Sequence, residues 1–261
     1  MRPGRLIARM PSLAVFAVLA VSVLVTSFIS GILGMAGGMI LMGVLLAMLP
    51  LPQAMMLHGI TQLASNAWRA VIWRRDVDFR IMRGYALGAL CALAIFAVVH
   101  LVASKPVALI MLGVTPFVTL ALPEKLHLNV ERKGHPFACG VVCSALALTA
   151  GVSGPILDVF FVRSKMNRHK VVATKASTQS FSHILKILYF GTILAVQGSH
   201  VHPVLGAVMV VLALTGTSFS QPVLKRMNDV SFRRWTRWTV MSTGVFYLVS
   251  GLSLVLRAHA H

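Results

Sequence analysis

Two short sets of polar side chains stand out in an otherwise apolar chain. His58, Gln62, Ser65, Asn66 and Arg69 recur at i, i+4, i+7, i+8 and i+11. Lys175, Gln179, Ser182, His183 and Lys186 repeat that spacing at an offset of 117 residues. Helical periodicity places each set on one stripe of a helix. Thr61 and Thr178 also match at this offset. Together the stripes carry amide and hydroxyl donors and five side chains able to hold positive charge: His58, Arg69, Lys175, His183 and Lys186. Donors and cations in that density suit an oxyanion. Two plainer readings compete. Arg69 and Lys186 can snorkel to a membrane interface, and Gln62, Gln179 and Ser182 can serve as interhelical hydrogen-bond glue.

Glycine clusters precede both stripes. Gly31, Gly34, Gly37 and Gly38 lead into the first, and Gly151, Gly154 and Pro155 into the second, with Gly34 matching Gly151 and Gly37 matching Gly154. Glycine permits a helix break, and a new helix N-terminus exposes N–H groups that favour anions. Close helix packing through Gly34-x-x-x-Gly38 is the alternative. Two clusters at equivalent positions, each followed by a short apolar run, favour the broken-helix reading. Asp158 is the one acid within an apolar stretch. It can pair with Lys175 or His183, or carry a proton. The ion pair is the favoured reading.

The elements that must position these groups are membrane helices. The chain is 57% hydrophobic and 11% charged, with mean hydropathy +0.83. Soluble domains carry about 25% charged residues. Apolar runs fall at 12–33, 37–49, 54–73, 84–103, 106–122, 136–150, 155–162, 171–196, 203–219 and 235–256. A full span needs about 20 residues, so 37–49 and 155–162 are too short to be ordinary spans. The expected fold is an all-α, polytopic transmembrane bundle of two inverted-topology repeats with short, Gly-broken helices. The first repeat covers 1–122, a connecting loop 123–135, and the second repeat 136–261.

Charge in the loops gives sidedness. Arg74, Arg75, Arg80 and Arg83 mark one cytoplasmic loop; Arg163, Lys165, Arg168 and Lys170 a second; Lys225, Arg226, Arg233 and Arg234 a third. The loop at 123–135 is mixed, with Glu124 and Glu131 against Lys125, Arg132 and Lys133. Residues 50–53 and 197–202 carry no Lys or Arg and read as external. The bare 50–53 loop matches the basic 167–170 loop at the repeat offset, and the basic 74–83 loop matches a bare stretch. That exchange is what inversion requires. Arg2, Arg5 and Arg9 precede a first helix read as retained rather than cleaved. These three favour the inside, whereas the span count puts the N-terminus outside.

Several classes are excluded. The net charge of +18 is spread over short loops rather than gathered in a patch, so nucleic acid is not the partner. Cys91, Cys139 and Cys143 are odd in number and form no CxxC, which argues against a disulfide framework or zinc site. His200, His202, His259 and His261 lack a full ligand set and read as solvated. No cofactor is expected. An integral membrane enzyme acting on lipid or quinone would need a nucleophile or acid–base pair that the six acids do not supply.

The stretch Gly31-Ile-Leu-Gly-Met-Ala-Gly-Gly-Met-Ile, then Pro52 and Leu57-His-Gly-Ile-Thr-Gln-Leu-Ala-Ser-Asn-Ala-Trp-Arg-Ala, resembles the first half of the sulfite exporter TauE/SafE family. Gly151-Val-Ser-Gly-Pro-Ile, His169-Lys-Val-Val-Ala-Thr-Lys-Ala and His183-Ile-Leu-Lys-Ile-Leu-Tyr-Phe are similar to its second repeat. The resemblance implies a multi-pass transporter of the inner membrane for small anions, often sulfite, sulfonates or organosulfur acids. It departs at Met35, Ala36 and Met39, which interrupt a usually glycine-richer cluster, and at Asp158 and Lys175, which add charge. The expected activity is secondary-active export of such an anion through a midplane site, driven by membrane potential or coupled to protons. Uptake of a similar anion is the alternative, and an integral membrane enzyme acting on lipid or quinone the less favoured one. The candidate binding residues are Gly34, Gly37, Gly38, Thr61, Gln62, Ser65, Asn66, Gly151, Gly154, Pro155, Lys175, Thr178, Gln179, Ser182 and His183.

Overall fold

A computed structural model describes residues 12–122, 128–227 and 229–259. Arg2, Arg5, Arg9, Glu124, Lys125 and His261 lie outside the described residues, as do the side chains of Arg168, Lys225, Arg233 and His259. Among the described residues the chain is helical and forms no strand. In chain order the helices are α1 (Leu13–Leu33), α2 (Ala36–Met48), α3 (Leu51–Ile72), α4 (Phe79–Val99), α5 (Lys105–Ala121), α6 (His135–Thr149), α7 (Gly154–Phe161), α8 (Arg168–Val196), α9 (Pro203–Arg226) and α10 (Asp229–His259). A single 3-10 turn, Arg74–Asp76, follows α3.

Local chemistry sets many of these limits. The Ser12, Asp78 and Asn167 side chains accept hydrogen bonds from the first N–H groups of α1, α4 and α8. Those donors have no partner within the helix, so a side-chain oxygen there stabilises the start. α3, α5, α6 and α7 each carry proline in the first turn, where its missing N–H would be unsatisfied in any case.

Among the described residues, five segments are long and apolar enough to cross a membrane: Leu13–Leu33, Phe79–Val99, His169–Val196, Pro203–Val223 and Arg237–Arg257. α3 has 22 residues, but its polar stripe keeps it out of that set. Helices α2, α5 and α6 are shorter and apolar. Large apolar side chains point outward, among them Leu87, Val98, Val211, Trp238, Phe246 and Leu252. In water such an outer face would be a liability; in lipid it is the solvated face. The polar groups are inside instead. His58, Gln62, Asn66, Ser182, His183 and Lys186 are all buried.

Packing follows four main pairs: α3 against α8, α1 against α9, α4 against α6 and α5 against α10. The core runs through Leu19, Met39, Leu45, Met55, Leu57 and Phe190. A second cluster around Tyr85, Cys139, Leu157 and Phe160 joins α4, α6 and α7.

The basic end of α3 and α8 is tied to the start of α4. Trp73 stacks on His169 with ring centroids 4.5 Å apart. Asp78 caps α4 through the N–H groups of Arg80 and Ile81, at 3.0 and 3.2 Å, and pairs with Lys170 at 3.0 Å. Partial burial raises the Asp78 carboxyl, but Lys170 and the two N–H groups outweigh it and hold it below its ordinary value. A lowered carboxyl contributes stability above its unfolded pKa of about 3.9 and loses it as pH falls through the folded value. Asp78→Ala should therefore destabilise the protein by about 0.5–2 kcal/mol at neutral pH. Thermal unfolding in detergent across pH checks this: the difference from wild type should shrink below about pH 4.

Candidate functional site

Two backbone breaks bring the site together. Gly34, between α1 and α2, has φ 68° and ψ −114°. Gly151, between α6 and α7, has φ 84°. Both positions call for glycine, because other residues are strained there. A Cβ on Gly34 would meet nothing within 4 Å, so its role is conformational rather than packing. Gly37 is the close-approach position. A Cβ there would lie 2.0 Å from the Thr26 carbonyl oxygen and 2.6 Å from the Ser30 nitrogen. α2 therefore doubles back along α1. The second cluster meets the first: a Cβ on Gly154 would fall 2.4 Å from the Met35 Cβ. Pro155 follows in the first turn of α7.

α3 and α8 pack beside these breaks. They approach closely at Gly59, where a Cβ would sit 2.9 Å from Ile187 Cγ1. The His58 and His183 rings meet edge-on with centroids 5.7 Å apart. Lys186 is fully buried. Its Nζ donates to the Gly151 carbonyl at 2.9 Å and lies 3.0 Å from His58 Nδ1. His58 Nε2 in turn lies 3.0 Å from the Gly38 carbonyl oxygen. Snorkelling is thus overturned for Lys186, because its ammonium stays inside and binds a helix break.

The stripe continues along α3. Asn66 Nδ2 donates to the Gln62 carbonyl at 2.9 Å, and Arg69 Nη2 to Asn66 Oδ1 at 2.6 Å. On α8, Lys175 forms an ion pair with Asp158 of α7, and Gln179 lies half-buried between Lys175 and His183. Three buried nitrogens on this face have no hydrogen-bond partner among the described residues: Gln62 Nε2, Arg69 Nε and His183 Nδ1. Leaving a buried polar group unpaired costs about 1–3 kcal/mol, so three in one place call for a partner.

The hydroxyls are already engaged. Ser65 meets Thr217 of α9 at 2.7 Å. Ser182 meets Tyr85 of α4 at 2.7 Å and Ser144 of α6 at 3.1 Å. Thr61 donates to the Leu57 and His58 carbonyls, and Thr178 to the Lys175 carbonyl. The Ser65 and Ser182 contacts pin α3 and α8 to their neighbours, whereas the Thr61 and Thr178 bonds stay within their own helices. His58, Arg69 and Lys186 were visible as members of the stripes but were not among the candidate binding residues. Tyr85, Ser144 and Thr217 gave no signal, because a lone polar residue in an apolar run reads the same whichever way it faces.

The arrangement combines basic side chains, free amide and ring nitrogens and a single carboxylate, Asp158. It can hold a small anion. Among the described residues it presents no serine–histidine or cysteine–histidine hydrogen bond, and no group of three His, Cys, Asp or Glu side chains placed to hold a metal. A separate cavity of 230 Å³ lies at the basic end, lined by Asp78, Arg80, Glu131, Arg132 and Lys133 among others. None of the candidate binding residues lines it.

An apolar outer face around a buried polar one defines a polytopic helical membrane protein. The family model described as sulfite exporter TauE/SafE matches residues 18–247. The match includes both breaks and both stripes, and the chain belongs to that family of membrane transporters. No curated protein and no solved structure matches the chain.

The close approach at Gly37 gives a direct test. The neighbouring atoms are backbone and cannot rotate away. Gly37→Ala should push α2 off α1 and destabilise by about 1–3 kcal/mol or more, as overpacking does. The readout is a lower unfolding temperature and a smaller monodisperse yield in detergent.

Proposed function

We propose that this protein is a secondary transporter that exports a small sulfur-containing oxyanion, such as sulfite or a sulfonate, between α3 and α8. The observation that carries this reading is the set of buried, unpartnered nitrogens on Gln62, Arg69 and His183. They stand beside Lys175 and Lys186, with Asp158 as the carboxylate nearby. An oxyanion supplies several acceptors and a negative charge, which is what such a face lacks. Charge-assisted hydrogen bonds of this kind are about twice as strong as neutral ones. Family membership supports the sulfur-anion class.

In this reading α1–α5 and α6–α10 are two inverted repeats. Helix pairing supports it. Exchanging each helix for the one five places away turns the α1·α9 pair into α6·α4, and leaves α3·α8 and α5·α10 unchanged. Gly34 and Gly151 then play the same part, turning the chain between two successive helices. The broken segments 34–38 and 151–155 and the side chains of Gln62, Asn66, Gln179 and His183 surround the anion. Lys175 supplies charge from the basic end. Ser65 and Ser182 hold the two central helices against α9, α4 and α6. An inside-negative potential favours anion exit by about 2.3 kcal/mol per charge per 100 mV.

Efflux from proteoliposomes loaded with sulfite or a simple sulfonate tests the proposal. Wild type should release the anion faster when the potential is imposed inside-negative. Lys175→Ala should lower the rate, and Gln62→Leu with Gln179→Leu should abolish it without loss of folded protein. Equal efflux from the double variant and wild type would reject this path.

A further inference from the structure

We propose that His58 and Lys186 are positioning residues that latch the site shut at its non-basic end, and that the latch holds only while His58 is neutral. The proposal rests on reading the α3–α8 face as the anion path. Its foundation is one continuous chain of contacts. The Gly38 carbonyl can only accept, so in a neutral ring the hydrogen sits on His58 Nε2 and Nδ1 accepts from Lys186 across 3.0 Å. Nε2 donates to the Gly38 carbonyl at 3.0 Å. At the other end Lys186 donates to the Gly151 carbonyl at 2.9 Å. Both terminal carbonyls belong to the broken segments, one in each half of the chain. Four groups thus join the two breaks across the α3–α8 interface.

Position along the helices gives the latch its side. At a rise of about 1.5 Å per residue, His58 lies about 10 Å from the Leu51 end of α3 and about 21 Å from its Ile72 end. Lys186 lies about 15 Å from the Val196 end of α8. Those nearer ends carry the loops without Lys or Arg. Exposure differs in the same sense. Lys186 is 0% exposed and His58 1%. The Lys175 and Asp158 side chains, toward the basic end, retain 25% and 38%. Around the latch Met39, Met42, Met55 and Phe190 are fully buried and close the gap with apolar bulk. The polar face is therefore more exposed toward the basic loops than toward the bare ones.

The dependence on neutral His58 follows from donor counting. A proton added to the ring goes to Nδ1, which turns the acceptor into a donor. With Lys186 protonated, two cationic donors then face each other across that contact, and the chain cannot close. The titratable groups facing His58 are Lys186 and His183 of α8. α2 contributes the Gly38 carbonyl, and α9 turns inward Met209, Ala213 and Thr217, none of which titrates. No carboxylate from these elements compensates the second charge. Alternating access then has a chemical trigger: acid on the external side keeps the latch open, and return to neutrality closes it.

Thiol accessibility tests this without any substrate. Ala54, one turn from His58 toward the bare end of α3, is fully buried and serves as reporter. Ala54→Cys is placed in a Cys91→Ser background and treated with a membrane-impermeant maleimide from the external side. Rates are normalised to Ser199→Cys on the bare loop, at about pH 7.5 and about pH 5.5, either side of the pKa of about 6.5 that the ring takes once the latch is open and water reaches it. The unlatched protein should label about tenfold faster, equivalent to about 1.4 kcal/mol in the opening equilibrium. Wild type should be protected at the higher pH and label at the lower. His58→Gln can accept from Lys186 and donate to Gly38 but cannot titrate, so it should be protected at both. Lys186→Met should label at both. Acid labelling of His58→Gln equal to wild type would overturn the proposal, as would full protection of folded Lys186→Met. The outcome is separable from the transport reading. A working latch with no anion efflux would refute the substrate assignment alone, and efflux with unchanged accessibility would refute the latch alone.

Discussion

Lys186 is fully buried, and its partners are a histidine nitrogen and a backbone carbonyl rather than a carboxylate. Lipid offers no water to solvate an ammonium, and an ionisable group within a span must find its partners inside the protein. That constraint orders the rest of the structure. The Gly151 carbonyl is available to Lys186 because it lies in the turn between α6 and α7, where the glycine backbone has φ 84°. His58 reaches both Lys186 and Gly38 because α3 and α8 approach closely at Gly59. The outward-facing apolar side chains of α4, α9 and α10 then surround this polar centre. Stability and function are bound to the same few groups: what holds the central helices together also shapes the space beside them.

Neighbouring side chains divide into two kinds by whether their hydrogen bonds are already made. Ser65, Ser182, Tyr85, Ser144 and Thr217 satisfy one another across helix boundaries. They are mutually committed and fix register. Gln62, Arg69 and His183 each keep a nitrogen unpaired. In a low-dielectric interior an unpaired donor is the costly exception. The first group is the scaffold and the second is where a ligand has something to gain. Lys175 stands between them, because its charge is already balanced by Asp158 and an incoming anion must compete with that carboxylate.

Hydropathy made the helices legible. The apolar run 155–162 appears as Gly154–Phe161 and the run 136–150 as His135–Thr149, since both signals report the same lipid-buried stretch. α9 and α10 extend beyond their runs, to Arg226 and from Asp229, because a helix continues through polar residues once it leaves the apolar layer. The positions of Gly34 and Gly151 were readable from their offset alone. Partnerships were not. Spacing placed His58 and Lys186 on stripes, but nothing local says that one grips the other across 128 residues. The same limit applies to Ser182, whose partners Tyr85 and Ser144 lie on two other helices. One pairing was legible as a choice of two: the sequence offered Asp158 either Lys175 or His183, and Lys175 is the one it holds.

The central claim is that the buried face between α3 and α8 binds a sulfur oxyanion. Ligand binding to the folded state raises stability, by about 2.7 kcal/mol at a concentration a hundredfold above Kd. The direct measurement is the thermal unfolding midpoint of the purified protein in nanodiscs, titrated with sulfite or a simple sulfonate at constant ionic strength against chloride. The account predicts a saturable rise in wild type that is lost in Gln62→Leu. A rise that survives unchanged in Gln62→Leu would contradict it, as would no rise with any sulfur oxyanion in folded wild type.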